Sequence, residues 1–270
     1  MTPSLKATGE MMKRWAALTG AVLAVMVASG AAWARVEQSS PMPAAMAQAQ
    51  LRVVTANLDF HRSEAARRDW NTIGPEADIV FLQEVKYVRM RDILGDGWAV
   101  RQDTSSEDRQ GSAVVIRKSA VKQIGELHLV KGVDASPCPD GGIMTRWIAS
   151  VDVQLHNNRW IRVASLHMPP PRCQTGPTSP YARMADSVVA FANRSEPLLV
   201  LGADWNKVVD SDPNDIGART GLKPRGPDSG LRIDGFYVSP AIGTQGLQFL
   251  PQTGDNSHRP VKMNITVPAP

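Results

Sequence analysis

The sequence predicts an α+β fold in which mixed sheets stack in layers, rather than alternating βαβ units. Three observations point there. Strand-like segments outnumber helical ones, several strands face each other across turns, and 43% apolar residues in a chain of 270 supply one substantial core or at most two small ones. Charged residues at 21% and aromatic residues at 6% argue against disorder over most of the length. The formal charge of +4 names no partner, because Lys6, Lys13 and Arg14 against Glu10 carry half of it near the start.

The first element is an address. Lys13-Arg14 precedes an apolar run from Trp15 to Ala28, and Ser29-Gly30-Ala31-Ala32-Trp33-Ala34 ends it with small residues at 32 and 34. A basic start, a short apolar stretch and that ending describe a secretory signal peptide over residues 1–34. The expected location is therefore secreted or periplasmic, with no stable membrane association after cleavage. The alternative is an uncleaved membrane anchor, since Trp15 to Ala34 is just long enough to span, though Thr19, Gly20, Ser29 and Gly30 interrupt it. Residues 35–50, rich in Pro, Ala, Gln and Met towards their end, read as a linker. Residues 51–270 read as one domain, expected to be a monomer.

Within that domain Leu51 to Asn57 is a β-branched strand, and Ser63 to Ile73 a helix with Ala66, Trp70 and Ile73 on one side, stopped by Gly74-Pro75. Asp78 to Glu84 is nearly continuously apolar, as a strand covered on both faces should be. Arg89 to Leu94 reads as a short helix. Strands follow at Trp98 to Arg101, Gly111 to Arg117 and Val121 to Val130, then a hairpin of Ile143 to Leu155 and Trp160 to His167 around His156-Asn157-Asn158-Arg159. Tyr181 to Asn193 is the clearest helix, with Met184, Ala185, Val188, Val189, Phe191 and Ala192 as its stripe. Leu198 to Leu201 is a buried-type strand, Asp210 to Gly230 a long polar loop, and Leu231 to Val238 and Val261 to Val267 are closing strands.

The hairpin gives meaning to the only two cysteines, Cys138 and Cys173. Folding at its turn brings them to similar distances beyond it, so a disulfide would staple the open end and contribute about 3–4 kcal/mol. An exported chain meets an oxidising compartment; two free thiols are the alternative.

Several strands end in groups that bind metal or phosphate. Asn57 and Asp59 end the first, Glu84 the second, His167 the hairpin, and Asp204 and Asn206 follow the Leu-Leu-Val-Leu run; Asp234 and His258 come later. Singly each is ordinary turn chemistry. Together and in order they are a signal. Thr55-Ala-Asn57-Leu-Asp59, Phe81-Leu-Gln-Glu84-Val, Gly111-Ser-Ala-Val-Val-Ile-Arg117, Val163-Ala-Ser-Leu-His167, Leu201-Gly-Ala-Asp204-Trp-Asn206, Ile233-Asp234-Gly-Phe-Tyr and Ser257-His258-Arg-Pro-Val resemble the endonuclease/exonuclease/phosphatase superfamily, from Leu51 to about Val267. That group includes pancreatic-type deoxyribonucleases, apurinic endonucleases, bacterial sphingomyelinases and inositol-polyphosphate phosphatases. The resemblance implies a four-layer α/β/β/α sandwich and divalent-metal-dependent cleavage of a phosphate ester, usually with Mg²⁺.

The residue types suit that chemistry, which needs charge neutralisation, an activated water and help for the leaving oxygen. Glu84 suits Mg²⁺, with Asn57, Asp59 and Asp255 as further candidate ligands. His258 is the candidate general base, oriented by Asp234; Asn206 donates to phosphate and Asp204 positions water or leaving group. By resemblance to the deoxyribonuclease branch, His167 acts as an acid or a phosphate donor. One departure stands out. The family usually has Ser-Asp-His before the final Pro-Val, and here the triplet is Asn256-Ser257-His258. The missing carboxylate should weaken the metal site and favour high Mg²⁺, Mn²⁺ or Ca²⁺, with Asp255 replacing it only if the turn is rearranged. The active-site tyrosine of some branches has no evident counterpart among Tyr87, Tyr181 and Tyr237. Export leaves extracellular nucleic acid, phospholipid head groups and small phosphoesters as substrates. Arg219, Lys223 and Arg225 in the long loop favour a nucleic-acid backbone, hence a nuclease. The alternatives are a phosphatase or sphingomyelinase-like phospholipase of the same fold, or a non-catalytic binding relative.

Overall fold

The computed structural model describes residues 48–103, 111–253 and 256–270. The signal-peptide reading, most of the linker and Asp255 lie outside the described residues. In chain order the elements are β1 (Ala49–Asn57), α1 (Ser63–Ile73), β2 (Ile79–Gln83), α2 (Met90–Ile93), β3 (Trp98–Gln102), β4 (Ser112–Arg117), β5 (Gln123–Ile124), β6 (His128–Val133), β7 (Ser136–Cys138), β8 (Gly141–Ile143), β9 (Arg146–Gln154), β10 (Trp160–His167), α3 (Pro180–Asn193), β11 (Leu198–Asp204), α4 (Ile216–Thr220), β12 (Lys223–Arg225), β13 (Asp234–Val238), β14 (Gly243–Phe249) and β15 (Val261–Val267).

Two mixed sheets result. One runs β14-β15-β1-β2-β4-β3, the other β12-β13-β11-β10-β9-β5 with β6 also on β9. Each contains one parallel pair, β1 with β2 and β10 with β11, and the remaining pairs are antiparallel. A parallel pair needs a crossover, and α1 and α3 provide one for each sheet.

Both faces of both sheets are covered, which explains the unbroken apolar runs. Val53, Phe81, Val114 and Ile116 meet Val151, Val163, Val200 and Phe236 between the sheets. The alternate residues Val54, Val80, Leu82 and Val115 pack outward with Ala66, Trp70 and Ile73 of α1. On the other side Ile148, Leu166 and Leu201 pack with Met184, Ala185 and Val188 of α3. These three clusters are the interfaces of a helix–sheet–sheet–helix sandwich. Gly202 marks one tight point between the sheets: a Cβ there would fall 2.4 Å from the Phe81 ring.

Several expected elements change. β1 starts at Ala49, inside the expected linker. The expected strand from Val121 to Val130 breaks into β5 and β6, because after Gly125, whose N–H still donates to the Asp152 carbonyl at 2.8 Å, the chain leaves the ladder before it rejoins β9. Likewise Ile143 to Leu155 divides, its first residue pairing in the small β7–β8 hairpin and the rest forming β9. The polar segment from Asp210 to Gly230 is not a structureless loop: it holds α4, capped by Gly221 at φ 75°, and the edge strand β12. Cys138 and Cys173 form the expected disulfide, joining β7 to the turn Pro171–Cys173.

Candidate active site

The central strands of both sheets end in polar groups on the same side. Asn57 ends β1, directly across from Gln83, which precedes Glu84. In the second sheet His167, Asp204 and Asp234 lie in one row across β10, β11 and β13. The two sheets are tied below the site by the buried Gln83, whose Nε2 donates to Ser165 Oγ at 3.0 Å and to Thr55 Oγ1 at 3.3 Å. Nearer the cleft, the buried Asn57 Nδ2 donates to Asp204 Oδ2 at 3.1 Å. Asn256 Nδ2 donates to the Asn57 carbonyl at 2.8 Å and Asn256 Oδ1 accepts the His258 N–H, which brings the turn before β15 to the same edge. A cleft of about 360 Å³ opens there, lined among others by Asp59, Glu84, Arg146, His167, Asn206 and His258.

The polar groups hold one another in place. Nδ1 of His258 donates to Asp234 Oδ2 at 2.7 Å, while Nε2 faces Asp204 Oδ2 at 3.8 Å. Asp204 Oδ1 accepts the Asn206 N–H at 2.8 Å, and the Asn206 amide donates to the Met168 carbonyl at 2.9 Å and lies 3.0 Å from His167 Nε2. His167 stands between two carboxylates, Nε2 at 3.2 Å from Asp204 Oδ2 and Nδ1 at 3.4 Å from Glu84 Oε1.

Burial and charge then set the protonation. Burial and the Arg146 cation push the His167 imidazole down despite its carboxylate neighbours. Burial and the charges of Asp204 and Glu84 push the Asp234 carboxyl up. Although burial opposes it, the bond to Asp234 and the charges of Asp234, Asp204 and Glu84 push His258 up. Asp204 is held down by His167, His258 and the Asn206 N–H, which outweigh its burial. Asp234 Oδ1 is buried without a hydrogen-bond partner. Ligand atoms of Asp204, Asp234 and His258 all lie within 4.8 Å of one another. A group of hard oxygen donors, one of them orphaned, fits a divalent cation such as Mg²⁺.

The fold brings together Asn57, Asp59, Glu84, His167, Asp204, Asn206, Asp234 and His258, with Asp59 exposed at the rim. Asp255 lies outside the described residues, and Ser257 is exposed. The loop cations do not reach the cleft. Arg219 pairs with Asp186 at 2.7 Å, Arg225 donates to Thr244 Oγ1, and Lys223 stands on the edge strand. Of the tyrosines, Tyr181 and Tyr237 are buried, bonded to the Trp205 carbonyl and to Asp212.

Sequence reasoning missed Arg146. This buried residue starts β9 and lines the cleft, and its Nε and Nη1 have no hydrogen-bond partner. Burial pulls the guanidinium down to about 10, against Glu84 and Asp204, so it stays a cation at neutral pH. The hairpin register gave no signal for it: counted outward from the turn, the residue level with His167 is Trp147, and Arg146 is one residue further on.

The model of the Endonuclease/Exonuclease/phosphatase family matches residues 50–257, most of the chain. The chain belongs to that family. Its members are phosphoesterases, generally dependent on a divalent metal. No curated protein matches the chain in sequence. Among solved structures, the chain resembles the endonuclease/exonuclease/phosphatase from Bacteroides vulgatus at 12% identity and a TM-score of 0.59, covering 81% of this chain and 99% of that one. It resembles the AP endonuclease LMAP from Leishmania major at 13% and 0.55, covering 81% and 88%. ANGEL2, a 2',3'-cyclic phosphatase in complex with adenosine-2',3'-vanadate, matches at 12% and 0.59, covering 82% and 96%. At these identities the likeness establishes the DNase I-like sandwich alone.

Proposed function

We propose that this member of the family is an exported, monomeric, Mg²⁺-dependent phosphodiesterase acting on nucleic acid. The observation that carries the reading is the juxtaposition of a buried, uncommitted Arg146 with the acidic groups and the Asp234–His258 pair in one cleft. A guanidinium with free donors is a receptor for phosphate oxygens, and an acidic cluster beside it is a receptor for a cation. By their names, one neighbour is an AP endonuclease and another a 2',3'-cyclic phosphatase bound to an adenosine vanadate, which supports a nucleotide phosphoester as substrate. The basic-then-apolar start and the disulfide support export.

Glu84, Asp59 and Asn57 hold the ion in this reading. Mg²⁺ bound there supplies positive charge against the phosphate and offsets the carboxylates that keep His258 protonated. Arg146 Nε and Nη1 donate to non-bridging oxygens and orient the phosphate. Neutral His258 takes the proton of the attacking water at Nε2, while Asp234 fixes the ring through Nδ1. The water oxygen bonds to phosphorus, the P–O bond to the leaving group breaks with the leaving oxygen keeping the electron pair and taking a proton from solvent water, and Asn206 and Asp204 line the path. His167 packs between the Glu84 and Asp204 carboxylates, its Nε2 3.2 Å from Asp204 Oδ2.

The test compares hydrolysis of plasmid DNA, bis(4-nitrophenyl) phosphate and 4-nitrophenyl phosphate, with Mg²⁺ and with EDTA. The diesters should be cleaved only with the metal, and His258→Ala and Arg146→Met should each lower kcat/KM about 100-fold or more with folding intact. Preference for the monoester, or no metal-stimulated turnover by folded protein, would overturn the reading.

A further inference from the structure

Beside the cleft stands a group of aromatic and cationic side chains that the reaction above does not use. Phe60 and Met144 line the cleft wall. Tyr87, 50% exposed, lies against Phe60 with ring centroids 5.7 Å apart and planes 55° apart. The Arg62 guanidinium is 5.2 Å from the Tyr87 ring centre and Lys86 Nζ is 5.5 Å from it; Lys86 Nζ is also 3.4 Å from Met144 Sδ. The rim is therefore continuous with the cleft.

The backbone is bent to build this rim. Asp59 and Phe60 follow one another in left-handed conformation, at φ 48° and 54°. That is unfavourable for a bulky aromatic residue, and such strain persists where the surroundings enforce it. Here the His61 N–H closes the turn by donating to the Leu58 carbonyl at 2.8 Å, and the His61 ring is tied down with Nδ1 2.7 Å from Oδ2 of the buried Asp69 on α1. The same two residues put a carboxylate at the cleft and a ring against Tyr87.

An exposed aromatic ring with two long cationic side chains over it, one step from a phosphoester cleft, matches what a nucleotide presents: when the cations swing to the anionic backbone, the ring they leave offers a face to the flat π face of a base. A base within a duplex has both faces covered by its neighbours, so only an unpaired base offers one to a rim. We infer that Phe60, Tyr87, Arg62 and Lys86 form a subsite that stacks an unpaired nucleobase flanking the scissile phosphate, which makes single-stranded nucleic acid the preferred substrate. The inference rests on the phosphodiesterase reading above.

Three oligomers of equal length and one label test it: an oligothymidylate, its duplex, and an abasic tetrahydrofuran phosphodiester of the same charge. Initial rates are measured with Mg²⁺, and binding by fluorescence anisotropy in EDTA, for the wild type, Tyr87→Ala, Tyr87→Trp and Arg62→Ala. The wild type should prefer single-stranded oligothymidylate to both others. Tyr87→Ala should raise KM for oligothymidylate about tenfold with kcat nearly unchanged, leave the abasic oligomer within about twofold, and be rescued by Tyr87→Trp. Arg62→Ala should weaken binding of both single strands alike. If the wild type cleaves the oligomers but Tyr87→Ala alters neither, or alters both equally, the base subsite is refuted and the phosphodiesterase reading stands. A preference for duplex refutes the subsite as well. If the wild type cleaves none of the three, both inferences fall.

Discussion

Three site residues hold left-handed backbone without being glycine: Asp59 at φ 48°, Glu84 at 56° and Asn206 at 51°. Asn and Asp tolerate that region, whereas at Glu84 it costs about 1 kcal/mol. The turn after β2 needs this conformation to aim the carboxylate at His167 instead of continuing the strand. Replacing Glu84 with Gly removes the strain and the ligand together. Glu84→Gly should melt at or a few degrees above the wild type while losing at least about 100-fold in turnover; Glu84→Gln should lose similar activity with the strain kept and its melting temperature near that of the wild type. Thermal melts and the plasmid assay check both, and a clear fall in melting temperature for Glu84→Gly refutes the strain account. Residues whose roles show as a carboxylate, amide or imidazole after an apolar strand were legible in the sequence. Arg146 was not, because a single Arg opening a strand looks like any solvated end until the fold buries it in the cleft wall.

At the scale of elements, a charged clamp closes the end of the first sheet away from the cleft. Asp78, just before β2, accepts from Arg52 N at 2.9 Å and Arg52 Nη2 at 2.8 Å, and lies 3.5 Å from Arg117 Nε at the end of β4. Partial burial works against its charge, but Arg52 and Arg117 outweigh that and hold its carboxyl below the usual range. A depressed folded-state value means the stabilisation is present above the unfolded value, about 3.9, and is lost as pH falls through the folded one. Asp78→Asn should therefore cost about 1–2 kcal/mol at pH 7, with the gap to wild type shrinking below about pH 4. Urea melts across that range measure it, and a gap that does not shrink places the clamp's contribution elsewhere. Strands with long apolar runs were readable from sequence. Strand β14 was not, since Gly-Thr-Gln-Gly-Leu-Gln-Phe on an edge buries little and shows no clear alternation. Helix α4 was hidden because one turn and a half is too short for a 3.6-residue pattern.

Over the whole molecule, the groups gathered at the cleft come from both sheets. Asn57, Asp59 and Glu84 follow strands of the first, and His167, Asp204 and Asp234 belong to strands of the second. The ordered motifs made this convergence legible, because seven short signals in one sequence order fix one topology; the aromatic rim stayed hidden, since Phe60 and Tyr87 are far apart along the chain and no motif joins them. Convergence has a thermodynamic consequence. The unfolded chain scatters these groups from position 57 to 258 and binds a divalent ion weakly, so an ion held by the folded site stabilises the entire sandwich. Mg²⁺ at about 100 times its dissociation constant should add about 2.7 kcal/mol, which raises the melting temperature by several degrees in a domain of this size. Glu84→Gln and Asp59→Asn should flatten that rise, whereas Asp78→Asn, at the far end of the sheet, should keep it on a lower baseline. Calorimetric scans over a Mg²⁺ series decide the matter without any turnover. An equal rise in all four proteins would mean that the ion sits somewhere other than the end of β1 and β2.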